Sequence, residues 1–288
     1  MIHYYAAGGT DTGTKRNCNQ DSFGAKILTS CRGDLAAAIM CDGMGGYASG
    51  EVASATVVDA FQRWVLRRLP VYCENGLDSA EILAEWKDIV ALCNRKIMQY
   101  GAERSIQLGT TAAMLLMTQE QYMILNVGDC RIYQIGETVR QITRDQTLVQ
   151  REFEAGLLTE EQLRTDPRGH ILAECIGVVP EVHPDIYTGA AVPDSVFMLC
   201  CDGFRHKISE AEMLSALAPG QMQSFEEMQT QIRKLIDMNM QQGETDNISV
   251  ITIRTSEDNE MQPHPETAFS VLQEFCYTDS TEVAEEYT

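Results

Sequence analysis

In the first third of the chain, the pattern of hydrophobic and polar residues is first typical of short strands and then of helices. Strands are predicted at residues 2–7, 22–28 and 34–41. From Gly46 to about Leu69 the apolar residues recur every three or four positions, and Pro70 follows as a stop. A second helical stretch covers about 78–102. The first third of the chain therefore predicts strands followed by two long helices.

The rest of the chain returns to short apolar runs separated by polar turns. Between residues 111 and 143 the runs TAAMLLM, YMILNV, CRIYQI and TVRQIT predict an antiparallel meander. Further elements are predicted as an irregular helical region at 145–177, a buried strand at 196–201, two helices within 208–241 and a closing strand at 247–253. These elements are typical of one large mixed domain spanning residues 1–254.

The composition changes after Arg254. Residues 255–288 contain nine Asp or Glu residues and no Lys or Arg. Such a segment buries little apolar surface, so it is predicted to be an acidic, flexible tail. One short amphipathic helix is predicted within its sequence TAFSVLQEFCY, residues 267–277.

The overall charge limits the classes of partner. The 288 residues include 22 basic and 42 acidic side chains, for a net charge of −20. This balance argues against nucleic acid and anionic membranes, which select for Lys and Arg. The N-terminal MIHYYAAGG lacks the features of a signal peptide, and no apolar run approaches the roughly 18 residues that span a bilayer. A cytoplasmic protein is expected. Its ten cysteines contain no CxxC pair, which favours reduced, buried thiols.

Several aspartates stand where hydrophobic strands begin or end. Two of them lie in near-identical CDG triplets, at residues 41–43 and 201–203. The full set is Asp21, Asp42, Asp129, Asp202 and Asp246. Carboxylates that converge at one end of a sheet repel one another unless cations hold them together. An oxygen-rich, histidine-poor set suits Mg²⁺ or Mn²⁺ better than zinc or copper, so the sequence predicts a metal site.

The order of short motifs carries a family resemblance. RNCNQDSF, CDGMGG, LGTTAA, NVGDCR, RDQTLVQREFEAGLLTEEQ, CDGF and GETDNISVI follow one another from about residue 3 to 254. This series resembles the bacterial branch of the metal-dependent serine/threonine protein phosphatases, the type 2C or PPM family. The resemblance implies an α+β fold, a layered α/β/β/α sandwich of two antiparallel sheets flanked by helices. It also implies two metal ions in a cleft at one end of the sandwich.

The resemblance assigns a role to each candidate residue. It implies that Asp42 bridges two divalent cations, Mn²⁺ or Mg²⁺, and that the Gly43 carbonyl completes one coordination shell. We expect a glycine there because a Cβ would intrude on the metal and its water. Asp202 and Asp246 are implied as further ligands, and Asp21 is implied to hold metal-bound water. With Asp202, Asp129 matches the ligands of a weaker third ion.

The implied reaction is hydrolysis of phosphoserine and phosphothreonine in proteins. A hydroxide that bridges the two ions is implied as the nucleophile, and Arg16 is implied to bind two phosphate oxygens through its planar guanidinium. The implied partners are phosphoproteins, a serine/threonine kinase among them, and the implied state is a monomer.

Three positions depart from the family pattern. Tyr47 and Gln146 stand where bacterial members carry His, and Cys130 stands where Ser is usual. The first two changes remove imidazoles that could donate a proton near neutral pH. Cys41, Cys130 and Cys201 adjoin candidate ligands; buried structural thiols and oxidation-sensitive thiols are both consistent with that placement.

The sequence is also consistent with two other functions. One is a phosphatase for a phosphorylated regulatory antagonist in a partner-switching circuit. The other is a binding module of the same fold that has lost its chemistry, although the presence of all five aspartates favours an enzyme.

Overall fold

The computed structural model describes residues 1–45, 49–257, 269–280 and 282–283. Its strands are β1 (His3–Asp11), β2 (Ser22–Ser30), β3 (Gly33–Cys41), β4 (Gly43–Gly45), β5 (Leu108–Thr110), β6 (Ala112–Met117), β7 (Gln121–Val127), β8 (Arg131–Ile135), β9 (Val139–Gln141), β10 (Asp185–Ala190), β11 (Val196–Cys200), β12 (Ile248–Ser256) and β13 (Phe269–Tyr277). Its α-helices are α1 (Gly50–Arg67), α2 (Leu69–Asn75), α3 (Ser79–Arg104), α4 (Leu148–Glu154), α5 (Glu160–Thr165), α6 (Asp202–Arg205), α7 (Glu210–Leu217) and α8 (Phe225–Gln241), with a 3₁₀ turn at Pro219–Gln221.

Two antiparallel sheets form the centre of the molecule. One has the strand order β10-β7-β6-β3-β2-β13, and the other has the order β1-β12-β11-β8-β9. The short strands β4 and β5 form a separate pair.

The sequence of strand β3 is apolar without interruption because both faces of the strand are buried. Alternate residues point to opposite faces of a strand, so a strand covered on both faces needs apolar side chains at every position. Ala36, Ala38 and Met40 belong to the core between the two sheets. Leu35, Ala37, Ile39 and Cys41 belong to the second core, on the helix side of the same sheet.

Helices cover the outer faces of both sheets. On the six-stranded sheet, α1, α2 and α3 bury an aromatic cluster that includes Phe61, Trp64 and Trp86, with Phe61 and Trp86 edge to face at 5.3 Å. Helices α7 and α8 cover the five-stranded sheet through apolar residues such as Met213, Ile232 and Ile236. The predicted α/β/β/α sandwich is confirmed. In the described ranges no helix is both long and apolar enough to cross a membrane.

The predicted meander at 111–143 is wrong in one respect. Strands β6 and β7 pair in the six-stranded sheet, but β8 and β9 lie in the five-stranded sheet. The chain crosses between the sheets at residues 128–130, where Gly128 has a φ of 93° that favours glycine. Alternation along a strand predicts its two faces but does not specify which neighbour it pairs with, so the pattern could not reveal the crossing.

The predicted helix within residues 267–277 is also wrong. Phe269–Tyr277 form β13, which pairs with β2 at the edge of the six-stranded sheet. Phe275 and Tyr277 both contact Phe23, a cross-strand packing that a short segment read alone does not show. Part of the predicted flexible tail is therefore a strand, while the division of the chain at residue 254 stays a prediction.

Candidate metal and phosphate site

The register of the two sheets brings the five predicted aspartates to one end of the sandwich. In the six-stranded sheet, Ser22 at the start of β2 pairs with Cys41 at the end of β3, so Asp21 and Asp42 leave the sheet together. In the five-stranded sheet, Cys200 at the end of β11 pairs with both Val250 of β12 and Arg131 of β8. The charges of Asp202 and Asp246 act on both Asp21 and Asp42, and the charge of Asp129 acts on Asp42, so these three residues lie at that same end.

The aspartates face one another closely enough to disturb each other's ionisation. Burial raises the pKa of Asp42 well above its usual range, and the charges of Asp21, Asp202, Asp129 and Asp246 raise it further. Burial, with Asp202 and Asp246, raises the pKa of Asp21 to about 7. The pKa of Asp129 is also raised to about 7, by burial and by Asp202. This end of the sandwich therefore concentrates negative charge that a cation would stabilise.

The oxygen atoms of Asp21 fit a metal site in chemical type. Both carboxylate oxygens are buried, and the side chains that favour their ionisation, Ser249 and Cys201, are uncharged. Carboxylate oxygens are the donors that Mg²⁺ and Mn²⁺ prefer. Within the described ranges, however, no group of three or more His, Cys, Asp or Glu side chains is arranged to hold an ion as it stands.

The glycines of the two CDG triplets hold backbone segments together. A Cβ on Gly43 would lie 2.4 Å from the Gln20 carbonyl oxygen and 2.3 Å from that of Gly50. A Cβ on Gly203 would lie 2.1 Å from the Asn247 carbonyl oxygen. We expected a glycine at position 43 because a Cβ would intrude on the metal, but the missing side chain instead leaves room for the backbone of Gln20 and Gly50. The role of the Gly43 carbonyl as a metal ligand stays a prediction.

Backbone hydrogen bonds fix the position of Asp42 at the end of β3. Its N–H donates to Thr111 Oγ1 at 2.8 Å, and the Thr111 N–H donates to the Asp42 carbonyl at 2.9 Å. The Thr110 hydroxyl donates to the same carbonyl at 3.0 Å. The motif LGTTAA therefore places two threonines behind the predicted bridging ligand, a role that the sequence did not indicate.

Arg16 lies at the mouth of the site. Its Nη2 donates to Asp246 Oδ2 at 2.8 Å, and half of its side chain is exposed. Asp246, Asp42 and Asp202 all raise the pKa of Arg16. The guanidinium is thus held beside the aspartates by charge, with exposed surface left to contact an anion.

Arg205 was missed by sequence reasoning, although it follows the second CDG triplet by only two positions. Its Nη2 lies 3.3 Å from Asp129 Oδ2 and 3.6 Å from Asp145 Oδ2. Arg131 binds Asp145 through two hydrogen bonds of 2.8 and 2.7 Å. Asp129 is thus close to Asp202 and also belongs to a partly buried network of two arginines and two aspartates.

His206 was also missed, and it supplies an imidazole at the site. Its Nε2 lies 3.5 Å from Asp202 Oδ2, and its Nδ1 lies 3.4 Å from Glu244 Oε2. Gln146, in contrast, is buried and donates to the His183 carbonyl, and its Oε1 accepts from the Gly128 N–H at 2.9 Å. A histidine at position 146 would point into the fold, so its replacement does not remove an imidazole from the cleft. Tyr47 lies outside the described residues.

A cavity of about 480 Å³ is lined by two of the five aspartates, Asp129 and Asp202, and by residues of the helical region at 145–177. His206 also lines the cavity, as do Arg164 and His170 of the helical region. That region carries the two short helices α4 and α5. This arrangement is suited to a substrate that is larger than a phosphate group.

A family model described as protein phosphatase 2C matches residues 9–241, which is most of the chain. The chain belongs to the protein phosphatase 2C family. The predicted family and the predicted class of enzyme, a protein serine/threonine phosphatase, are thereby confirmed.

Individual relatives of this phosphatase agree with the family match. Protein phosphatase PhpP of Streptococcus pneumoniae is 29% identical over 254 residues, which cover 87% of this chain and 97% of that protein. The structure of a serine/threonine phosphatase of S. agalactiae matches with a TM-score of 0.75 and 26% identity, covering 88% of this chain and 99% of that one. The catalytic domain of the phosphatase PstP, solved in complex with two manganese ions, matches with a TM-score of 0.70 and 25% identity, covering 89% and 100%. That complex supports the use of divalent metal.

The thiols beside the aspartates of this phosphatase are buried. Burial, together with neighbouring aspartates, raises the pKa of Cys41, Cys130 and Cys201 well above the usual range. A thiol reacts with oxidants mainly as thiolate, so these cysteines are poorly placed for oxidation. The contacts favour the structural interpretation of these residues.

The metal-free phosphatase is expected to lose stability as pH rises from about 4.5 to 7.5. The pKa values of Asp21 and Asp129 are raised to about 7, so the folded state retains protons that the unfolded state releases near pH 4. Their contribution to the free energy of unfolding is therefore full below about pH 4 and falls until about pH 7. Thermal melting with and without Mn²⁺ checks this, and Mn²⁺ should raise the melting temperature more at pH 7.5 than at pH 5.

An Asp21→Asn variant provides the control for this pH dependence. The amide does not ionise, so the melting temperature of the metal-free variant should fall less steeply over the same range. A metal-free wild-type protein that becomes more stable between pH 4.5 and 7.5 would contradict the prediction.

Proposed function

We propose that this phosphatase hydrolyses phosphoserine and phosphothreonine in proteins and so opposes a serine/threonine kinase. The observation that carries the proposal is the meeting of five aspartates at one end of the sandwich, beside a half-exposed arginine. The names of the relatives support the serine/threonine specificity. The cavity between the aspartates and the 145–177 segment supports a protein as the substrate.

Two divalent cations, Mn²⁺ or Mg²⁺, are the proposed cofactors. Asp42, the Gly43 carbonyl, Asp202 and Asp246 would hold the ions, and Asp21 would hold water bound to them. Asp129 and Asp202 would hold a weaker third ion, for which Arg205 competes as the positive partner of Asp129. When bound, such cations supply Lewis-acid activation of water and of phosphoryl oxygens.

The protein's own side chains perform the remaining tasks. Arg16 would bind two phosphate oxygens through its planar fork, exchanging its contact with Asp246 for the substrate. That exchange also frees Asp246 to act as a ligand. His206 faces Asp202 across 3.5 Å and would orient this carboxylate.

Phosphate release from two substrates tests the proposed function. We expect the purified protein to hydrolyse p-nitrophenyl phosphate and a phosphothreonine peptide in the presence of Mn²⁺, because a hard cation compensates the carboxylate repulsion and activates water. Addition of EDTA should abolish both reactions. Released phosphate is the measurement.

A phosphotyrosine peptide of the same sequence serves as the matched control. Preference for this peptide would contradict the proposed serine/threonine specificity. Hydrolysis that persists without any divalent cation would contradict the proposed role of the aspartates.

A further inference from the structure

Strand β13 closes one open side of the sandwich and lies beyond the part of the chain that matches the family model, which ends at residue 241. It pairs with β2 along its length, from Phe269 opposite Ser30 to Tyr277 opposite Phe23. Midway along β13, the side chain of Gln273 reaches the edge of the other sheet. Its Oε1 accepts from the Ala6 N–H at 3.1 Å and its Nε2 donates to the Ala6 carbonyl at 2.6 Å. The strand therefore joins an edge of each sheet.

The last residues of β13 and those that follow it reach the loop that carries Asp21. The Tyr277 ring stacks on Phe23 with a centroid distance of 5.4 Å. The Ser22 hydroxyl donates to Thr278 Oγ1 at 3.0 Å. These contacts are made to the two residues that directly follow Asp21, so the C-terminal segment packs against the base of the site.

Asp279 continues this contact into the loop itself. The Asn19 N–H donates to Asp279 Oδ2 at 3.1 Å, and the Tyr277 hydroxyl donates to Asp279 Oδ1 at 2.8 Å. Asn19 is fully buried, and its Oδ1 accepts from the Asp21 N–H at 3.1 Å, while its Nδ2 donates to Thr10 Oγ1 at 2.7 Å. A continuous path of hydrogen bonds therefore runs from Tyr277 to the backbone of Asp21.

We propose that Asp279 is a positioning residue, which holds Asn19 and through it Asp21, the residue predicted to hold metal-bound water. This inference rests on the proposed function, because it assigns Asp279 to the site at which Asp21 acts. The physical need is that Asp202 and Asp246 repel the buried Asp21 carboxylate, and the side chains of Ser249 and Cys201 offset this repulsion only in part. A backbone held from behind keeps such a carboxylate in place until a cation binds.

Removal of the Asp279 carboxylate tests the proposal in the full-length protein. Asp279→Ala should bind Mn²⁺ about threefold to tenfold more weakly, which is less than the roughly 10- to 100-fold typical of direct partners of metal ligands, because Asp279 acts through Asn19. Asp279→Asn keeps an oxygen that accepts from Asn19, so its affinity should stay within about twofold of wild type. Titration calorimetry with Mn²⁺ measures the affinities. Hydrogen exchange at the amides of Asn19 and Asp21, in the metal-free protein, should be faster in the Ala variant alone.

Glu274→Ala is the matched control on the same strand. Glu274 pairs with Lys26 and does not approach the loop of Asp21, so this variant should change neither Mn²⁺ affinity nor the exchange of the two amides. Tyr277→Phe keeps the stacked ring and removes the hydroxyl that contacts both Asp279 and Asn19. Tyr277→Phe should weaken Mn²⁺ binding and speed the exchange of the Asn19 and Asp21 amides, each by a smaller factor than Asp279→Ala. If Asp279→Ala does not fold, Tyr277→Phe alone tests the positioning role.

The outcomes separate the two proposals. If Asp279→Ala matches Glu274→Ala in Mn²⁺ affinity and in exchange, the positioning role is overturned. If the wild-type protein neither binds Mn²⁺ nor releases phosphate, the proposed function fails, and the exchange of the Asn19 and Asp21 amides still decides whether Asp279 holds the loop. Equal losses in the Ala and Asn variants would also overturn the role, because the Asn side chain retains the accepting oxygen.

Discussion

Asp42→Asn is expected to lower Mn²⁺-dependent phosphate release by at least about 100-fold without destabilising the metal-free protein. A bound cation contributes several kcal/mol to stabilising the transition state, and each 1.36 kcal/mol is a factor of ten in rate. Asp42 is the candidate ligand that faces all four other aspartates. Its pKa is raised well above the usual range, so ionising it in the fold is unfavourable near neutral pH. A neutral amide removes that repulsion, and the melting temperature should stay the same or rise.

The rate of phosphate release and a melting curve, measured on the same preparation, check this prediction. Asp237→Asn is the control, because Asp237 is exposed and pairs with Arg233 on α8 at 2.8 Å, away from the cleft. It should retain wild-type activity. An Asp42→Asn variant within threefold of wild-type activity would remove this residue from the site, and a large fall in melting temperature would show that Asp42 serves the fold instead.

Arg16→Ala is expected to reduce kcat/KM by about tenfold to 100-fold while the affinity for Mn²⁺ changes little. A charged hydrogen-bonding contact contributes roughly 1.5 to 3 kcal/mol, which corresponds to such factors. Arg16 lies beside the aspartates through a hydrogen bond with Asp246, and half of its side chain remains exposed to a phosphate group. Loss of the guanidinium also leaves Asp246 without that competing cation. Mn²⁺ affinity should therefore be unchanged or slightly higher, which a structural collapse of the site would not produce.

Steady-state kinetics on the phosphothreonine peptide, with Mn²⁺ titrations in parallel, measure the two quantities. Arg233→Ala removes the same charge from an exposed ion pair on α8 and should leave both at their wild-type values. If Arg16→Ala keeps its kcat/KM, the arginine does not bind substrate. If it loses Mn²⁺ affinity in proportion to activity, its role lies in holding Asp246.

The main elements of the fold could be predicted because their patterns are local. The run LAAAIMC is apolar at every position, and the structure explains this by two cores that cover the two faces of β3. The two long helices follow from apolar residues at helical spacing. Local patterns do not specify which strands pair, however, and for that reason the crossing at Gly128 and the strand at Phe269–Tyr277 were not predicted.

Some residues of the candidate site could likewise be predicted from local sequence, and others could not. Asp42 and Asp202 stand out in the sequence because a carboxylate directly follows a buried strand in each CDG triplet. Arg205 and His206 stand just as close to the second triplet, but their side chains acquire a role only through Asp129 and Glu244, which are distant in sequence. Their position after CDGF was the one signal that could have found them.

By itself the sequence determined the main strands and helices and the strand ends at which the aspartates stand, because apolar periodicity is a property of neighbouring residues. Its series of short motifs indicated the family, and through that resemblance the sandwich. Only the tertiary structure decided which groups surround each aspartate, why Gly43 has no side chain, and that Asp279 reaches Asn19 across 260 positions of the chain. The physical reason is that burial, charge and close backbone contact depend on distances in space. Those distances arise from strand pairing and packing, which bring together segments far apart in the chain.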